Sequence, residues 1–256
     1  MKRRFLFAWY DTPIGRLLQT IETEYLRRSI SVSCKQTVLQ VGGLGWETEF
    51  VDVQLYSRFL IADLSGLGAP DAAKLRARAY ALPIVSESVD LVIAPHLLEF
   101  DAHRFQTMRE LERVLKPEGQ IIILGLNPWS FWVRYQYLWE KRHADTWLGH
   151  FIRPGRILDW LRLMDFEIKT VVNFYADASR YTLHPGGRHC FSLRSTAYAV
   201  RAIKRRYTLI PLDAKPSRAT PVSVFTSCRI YPDKTSCAIE PLPNRQPPSA
   251  SINHDL

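Results

Sequence analysis

Residues Asp90 to Ile123, DLVIAPHLLEFDAHRFQTMRELERVLKPEGQIII, restrict the fold more than any other part of this chain. Val89, Leu91, Val92, Ile93 and Ala94 make a near-continuous apolar run, the signature of a parallel strand buried on both faces. Asp101 is placed to cap a helix in which Phe105, Met108, Leu111 and Leu115 fall on one stripe, with Arg104, Arg109, Glu110 and Arg113 off it. Lys116-Pro117-Glu118-Gly119 reads as the helix stop, and Gln120 to Leu124 as a second buried strand. A strand, a helix and a second strand with a short exit turn predict a right-handed parallel crossover. The expected fold class is therefore α/β, an open sheet with helices on both faces.

Punctuation elsewhere extends the pattern. Asp11-Thr12-Pro13 opens a helix to about Ser29, with Pro at its first turn. Val38 to Val41 is a short strand ending at Gly42-Gly43-Leu44-Gly45, and a helix is expected from Glu47. Phe59 to Asp63 is the next strand, residues 70–79 are expected as helix, and Ala79 to Leu82 as a very short strand. Leu126-Asn127-Pro128 leads into an aromatic helical segment to about Arg142. Arg156 to Met164 reads as helix, and Phe166 to Phe174 and Ala197 to Ile203 as strands. Three segments follow: an N-terminal helical part at 1–36, a main domain at 37–210 with an aromatic insertion at about 127–153, and a tail at 211–256. That tail holds 8 of the 16 prolines, no glycine and no apolar period, so it is expected to be disordered. No apolar run is long enough for a membrane-spanning helix, and Phe5 to Tyr10 is too short for a signal peptide. Cys34, Cys190, Cys228 and Cys237 have no metal-ligand spacing, which fits a reduced, cytoplasmic protein.

The central block also resembles a known family. Val89-Asp90-Leu91-Val92, then Leu98-Glu99, then Glu110-Leu111-Glu112-Arg113-Val114-Leu115-Lys116-Pro117-Glu118-Gly119, with Leu82-Pro83-Ile84 ahead of them, is similar to class I S-adenosylmethionine-dependent methyltransferases of the small-molecule type. The resemblance implies a Rossmann-like sheet of about seven strands, the last antiparallel, and S-adenosylmethionine as cofactor. It places cofactor contacts at Gly42, Gly43 and Gly45 after the first strand and at Asp63 after the second. Leu82, Ala94 and Pro95 would flank the adenine and the methyl group. A ligand beyond the carboxyl ends of the strands is also what an open α/β sheet favours. Three positions depart from the family pattern: Gln40 stands where it has an acid, Leu44 where it has a glycine, and Arg78 where it often has an aspartate.

The sulfonium makes its methyl group electrophilic, so the protein's task is positioning and a dry pocket, with a general base only if the acceptor must lose a proton. His96, after the fourth strand, is the candidate base; a partly buried capping histidine is the alternative reading. His143, His150, His184 and His189 are weaker candidates on later segments. Asn127, Trp129 and Phe131 open the aromatic segment and are candidates for an apolar lid over the acceptor. The stripe Trp132, Tyr135, Trp139 reads rather as the packed face of a helix.

The net charge of +9 gathers late, at Arg180, Arg188, Arg194, Arg201, Lys204, Arg205, Arg206, Lys215 and Arg218. Such a cluster allows nucleic acid or an anionic membrane surface as partner, although solvated charge explains it as well. The functional reading is a methyltransferase acting on a small-molecule or lipid-like acceptor. A catalytically inactive binding or regulatory protein on the same fold is the alternative, motivated by Gln40, Leu44 and Arg78. Dehydrogenase chemistry would want Gly-x-Gly-x-x-Gly, which Gly42-Gly43-Leu44-Gly45-Trp46 does not supply.

Overall fold

A computed structural model describes residues 4–30, 36–52, 58–64, 72–131, 133–134, 151–178, 180–186 and 194–206. The chain divides into Met1–Thr208 and Leu209–Leu256. The expected tail, all four cysteines, His143, His150 and His189 lie outside the described residues, as does the aromatic segment from 135 to 150.

Four helices are described: α1 (Arg4–Tyr10), α2 (Pro13–Ser29), α3 (Arg104–Val114) and α4 (Pro154–Leu163). Eight strands, β1 (Val38–Val41), β2 (Phe59–Ala62), β3 (Ala73–Leu75), β4 (Val89–Pro95), β5 (Leu115–Leu126), β6 (Phe166–Tyr175), β7 (Arg180–Pro185) and β8 (Ala197–Lys204), form one sheet in the order β3-β2-β1-β4-β5-β8-β6-β7. From β3 to β5 every pairing is parallel; from β5 onward each is antiparallel.

Strand alternation sends side chains into two cores. Val38, Ile61, Leu91, Ile93, Ile122 and Val172 meet Leu6, Trp9, Leu18 and Leu26 of α1 and α2. Leu39, Val92, Ile121, Ile123 and Val200 meet Met108 and Leu111 of α3 and Ile157 and Leu161 of α4. Both faces are covered, which is why the central strands read as continuous apolar runs rather than alternating ones.

The entry to α2 is tightly specified. Thr12 Oγ1 accepts from Gly15 N at 3.0 Å and donates to Trp9 O at 2.6 Å, and Pro13 fills the first helical position. At Gly15 a Cβ would lie 1.9 Å from Trp9 O, so only glycine lets α1 fold back this closely.

The resemblance block is held together by its own charges. Glu110 Oε2 accepts from Leu82 N at 3.3 Å, while Arg113 donates to Leu82 O and Ile84 O, each at 3.0 Å. The guanidinium beside Glu110 is the main reason its carboxyl is held below its ordinary pKa, with Leu82 N–H adding to it. Lys116 Nζ reaches both oxygens of Asp90 at 2.9 Å, tying β5 to the start of β4.

The expected open sheet with an antiparallel end is present, and Arg180–Pro185 brings it to eight strands as an edge strand whose exposed and half-buried residues gave no hydrophobic signal. Several expectations about single elements are corrected. Ala73–Leu75 is a strand paired in parallel with β2, where helix was expected over 70–79. Its residues are good helix formers, and the open edge of β2 overrides that preference. Ala79 to Leu82 contributes only an Arg78–Ala81 bridge. The helix expected from Glu47 is a 3₁₀ turn, Glu47–Glu49. Lys116 to Gly119 does not leave the sheet; it forms an irregularity in β5 between the pairs Val89–Leu115 and Leu91–Gln120, with Glu118 at φ 62°. His103 rather than Asp101 is the cap residue of α3, and Asp101 braces the first turn by accepting from His103 N at 2.8 Å and from Thr107 Oγ1. Phe105 leaves the α3 stripe for the surface, where its ring meets Trp160 with centroids 4.7 Å apart.

Candidate functional site

The carboxyl edge of β1 and β2 brings the predicted cofactor residues together. Gly42 N donates to Ala62 O at 2.9 Å, and Gly43 N donates to Asp63 Oδ2 at 2.7 Å. Asp63 is in turn placed by β3, its own N–H reaching Leu75 O at 3.0 Å. Gly42 and Gly45 both sit at φ 96°, a conformation that disfavours any other residue, and a Cβ at Gly45 would meet nothing within 4 Å. Leu44 is buried within the core under α1 and α2, which is how the chain accommodates a bulky side chain in this loop.

A carboxylate fills the inner side of the loop. Glu47 Oε1 accepts from Leu44 N at 2.5 Å and from Gln40 Nε2 at 2.8 Å, and Glu47 Oε2 accepts from Gly45 N at 3.0 Å. Gln40 Nε2 also donates to Gly42 O at 2.9 Å, while Gln40 Oε1 is buried without a hydrogen-bond partner. The sequence gives Glu47 only as the start of an expected helix. Its spacing of seven residues from Gln40 gives no hint that the two touch.

His96 begins the loop after β4 in a left-handed conformation, φ 47°, with its N–H on Leu124 O at 3.0 Å. Its ring is fully buried between two carboxylates. Nε2 lies 3.1 Å from Glu22 Oε1, and Nδ1 lies 3.4 Å from Glu99 Oε2, an ion-pair separation without hydrogen-bond geometry. Glu22 accepts from Tyr10 OH at 2.6 Å, and Glu99 from the Leu126 amide. Burial is the largest influence and opposes the imidazolium, but Glu22 and Glu99 together outweigh it and carry the pKa up to about 9. The two carboxylates thus favour the imidazolium, the form in which neither ring nitrogen has a lone pair to receive a proton. The Tyr10 ring packs edge-on against Trp46 at 4.6 Å and against His96 at 6.1 Å, so α1 bridges the glycine loop and the end of β4.

Leu82 is buried, and Ala94 and Pro95 end β4 in the core of the sheet. Arg78 stacks over Tyr80 at 5.8 Å and receives no acidic partner among the described residues. On the acceptor side, Asn127 Nδ2 donates to Ser195 O and Oγ at 2.9 and 2.7 Å, and its Oδ1 accepts from Trp129 N at 3.1 Å. Asn127 thus anchors the start of the aromatic segment to the strand entering β8. The Arg153 guanidinium lies 5.0 Å over the Trp129 ring, and Phe131 is 69% exposed. His184 pairs with Thr182 on the edge strand β7, and His103 packs against Tyr80; neither joins the cluster.

The basic residues are largely matched by acids. Arg205 meets Glu118 and Glu167, Arg206 meets Glu87, Arg194 meets Asp177, and Lys204 reaches Glu112. Arg188, Lys215 and Arg218 lie outside the described residues. No helix is long and apolar enough to cross a membrane among the described residues.

With this geometry in place, comparison with known proteins is specific. A family model described as a methyltransferase domain matches residues 43–123, which span the glycine loop, Asp63 and the β4–α3–β5 unit. An uncharacterized Escherichia coli K12 protein, YafS, is 25% identical over 215 residues, covering 82% of this chain and 85% of its own. Among solved structures, a Thermotoga maritima S-adenosylmethionine-dependent methyltransferase, described as a possible histamine N-methyltransferase, aligns with TM-score 0.59 at 17% identity. That alignment covers 77% of this chain and 93% of the other. An S-adenosylmethionine-dependent methyltransferase of Mesorhizobium loti aligns with TM-score 0.54 at 16% identity, covering 73% and 99%. At these identities the two structures establish the shared fold.

Proposed function

We propose that the chain is a class I S-adenosylmethionine-dependent methyltransferase that methylates a small-molecule acceptor at the carboxyl edge of β1, β2 and β4, a reading supported by the methyltransferase-domain match over residues 43–123. The observation that carries this reading is the 2.7 Å bond from Gly43 N to Asp63, which sets a carboxylate on the glycine loop. A carboxylate there is the chemistry a ribose diol requires, and the open space at Gly45 leaves the loop approachable, so the residues fit the cofactor. S-adenosylmethionine supplies an activated methyl group; the chain's residues bind, orient and exclude water. Asp63 accepts the ribose hydroxyls, and Gly42, Gly43 and Gly45 lend backbone without a Cβ in the way. Leu82, Ala94 and Pro95 wall the adenine side.

His96, as an imidazolium between two carboxylates, holds charge and geometry rather than taking a proton. The acceptor nucleophile is accordingly one that needs no proton removed by His96. Trp129 and Phe131, with Asn127 fixing their approach, favour an acceptor with apolar or aromatic surface. A non-catalytic binding protein is the second reading, favoured by Leu44 and Glu47 filling the loop's inner side. It expects ligand binding without turnover.

Titration calorimetry with S-adenosylmethionine and S-adenosylhomocysteine tests the site. Asp63→Ala should weaken both by about 2 kcal/mol, roughly thirtyfold. Absence of binding by the unaltered protein refutes the cofactor assignment.

A further inference from the structure

A line of surface contacts running from the end of β3 across α3 to α4 alternates cations with aromatic rings. A tight turn, closed by the Arg78–Ala81 bridge and the 3.0 Å bond from Ala81 N to Arg78 O, carries Tyr80. Arg78 lies 5.8 Å from the centroid of that ring and donates to its hydroxyl at 2.7 Å. The His103 ring meets Tyr80 edge-on at 4.6 Å, just ahead of α3. Two residues on, Phe105 is 59% exposed and packs on Trp160 of α4, over which Arg156 sits at 5.8 Å. A phenylalanine turned out of the core stripe of its own helix into a row of guanidinium groups is not a scattered surface apolar residue.

The charge along this line is not neutralised. Arg78 and Arg156 meet no acid among the described residues, whereas Lys204, Arg205 and Arg206 at the end of β8 are each matched by glutamates. The acids nearest in sequence are engaged elsewhere: Asp101 accepts from His103 N and Thr107 Oγ1, and Asp159 lies 3.7 Å from Arg162. Guanidinium groups without acids suit phosphates, and an open ring suits the face of an unpaired base; their alternation is the pattern of a single-strand track. A duplex offers phosphates but hides its base faces, and a lipid headgroup offers charge but nothing to stack.

We infer that the strip from Arg78 through Phe105 to Arg156 binds a single-stranded nucleic acid, with phosphates on the two arginines and a base on Phe105. This goes beyond the methyl-transfer reading and uses none of its cofactor or acceptor residues. Fluorescence anisotropy of a labelled oligouridylate of about 12 nucleotides tests it, with salt varied from about 50 to 200 mM. Binding should be saturable and should favour the single strand over a duplex of the same length. Arg78→Gln with Arg156→Gln should weaken it at least about tenfold and lower the salt slope by about 1.4, since each phosphate contact on a single strand contributes about 0.7. Phe105→Ala should weaken it about fivefold or more at an unchanged salt slope, and Phe105→Tyr, which keeps a ring, should restore it. Arg205→Gln, at a matched cation outside the strip, should change the affinity less than about twofold. No saturable binding, equal or tighter binding of the duplex, or a Phe105→Ala variant that binds like the unaltered protein overturns the inference. So does binding to phosphatidylglycerol vesicles without binding to the oligonucleotide. Should a variant fail to fold, the salt slope and single-strand preference of the unaltered protein decide. No measurement here includes S-adenosylmethionine, so failure of the cofactor reading is seen separately.

Discussion

Raising the pH should loosen this protein through a single buried ring. The free imidazole has a pKa of 6.5, and Glu22 and Glu99 carry that of His96 to about 9 in the folded chain. The folded state therefore holds the proton over a range in which the unfolded state has released it. The stability this contributes is fully present below about pH 6.5 and is lost as pH rises through about 9. A gap of roughly two and a half pH units corresponds to about 3 kcal/mol, or about 6–12 °C in melting temperature for a chain of this size. Melting curves between pH 6.5 and 9.5 measure it, with the imidazole resonance of His96 titrated in parallel by NMR. The control is Glu22→Gln with Glu99→Gln, which leaves burial as the ruling influence on the ring. Burial alone lowers an imidazole pKa, so the sign should reverse, and the double variant should gain stability as pH rises through the ordinary histidine range. A flat profile for the unaltered protein, or the same slope in the double variant, would refute the argument.

Two further outcomes follow from packing. Gly15→Ala should lower stability by about 2–3 kcal/mol, since the new Cβ must displace the Trp9 carbonyl at the elbow of α1 and α2; denaturant midpoints read this directly. Leu44→Gly brings the loop nearer the family pattern yet should cost about 2–4 kcal/mol by emptying a buried site, measured in the same way.

The block from Val89 to Leu124 was legible because its physics is local. Two apolar runs and an amphipathic period stand in one stretch, and both sheet faces are covered, so the strand–helix–strand order is plain, although Lys116 to Gly119 proved to lie within β5. The glycine loop and Asp63 were legible for the same reason: each ends a strand, and parallel neighbours place their ends together. What sequence alone could not reach depends on partners far along the chain. β3 is made from helix-forming residues because β2 leaves an edge to pair, and β7 is an exposed strand that only β6 defines. The state of His96 is the clearest case. Its sequence position identified a ring at the end of β4, but the carboxylate that favours its charged form is Glu22, 74 residues away, folded against it by α2. Glu47 teaches the same lesson at short range, since a seven-residue spacing becomes contact only when Gly42 and Gly45 turn the chain back on itself. Sequence determined the central strands and helices and which strand ends gather at the carboxyl edge of the sheet. Tertiary structure decided what each polar group there touches, because the carboxylates around His96 come from α2 and the loop after β4 and not from its own strand.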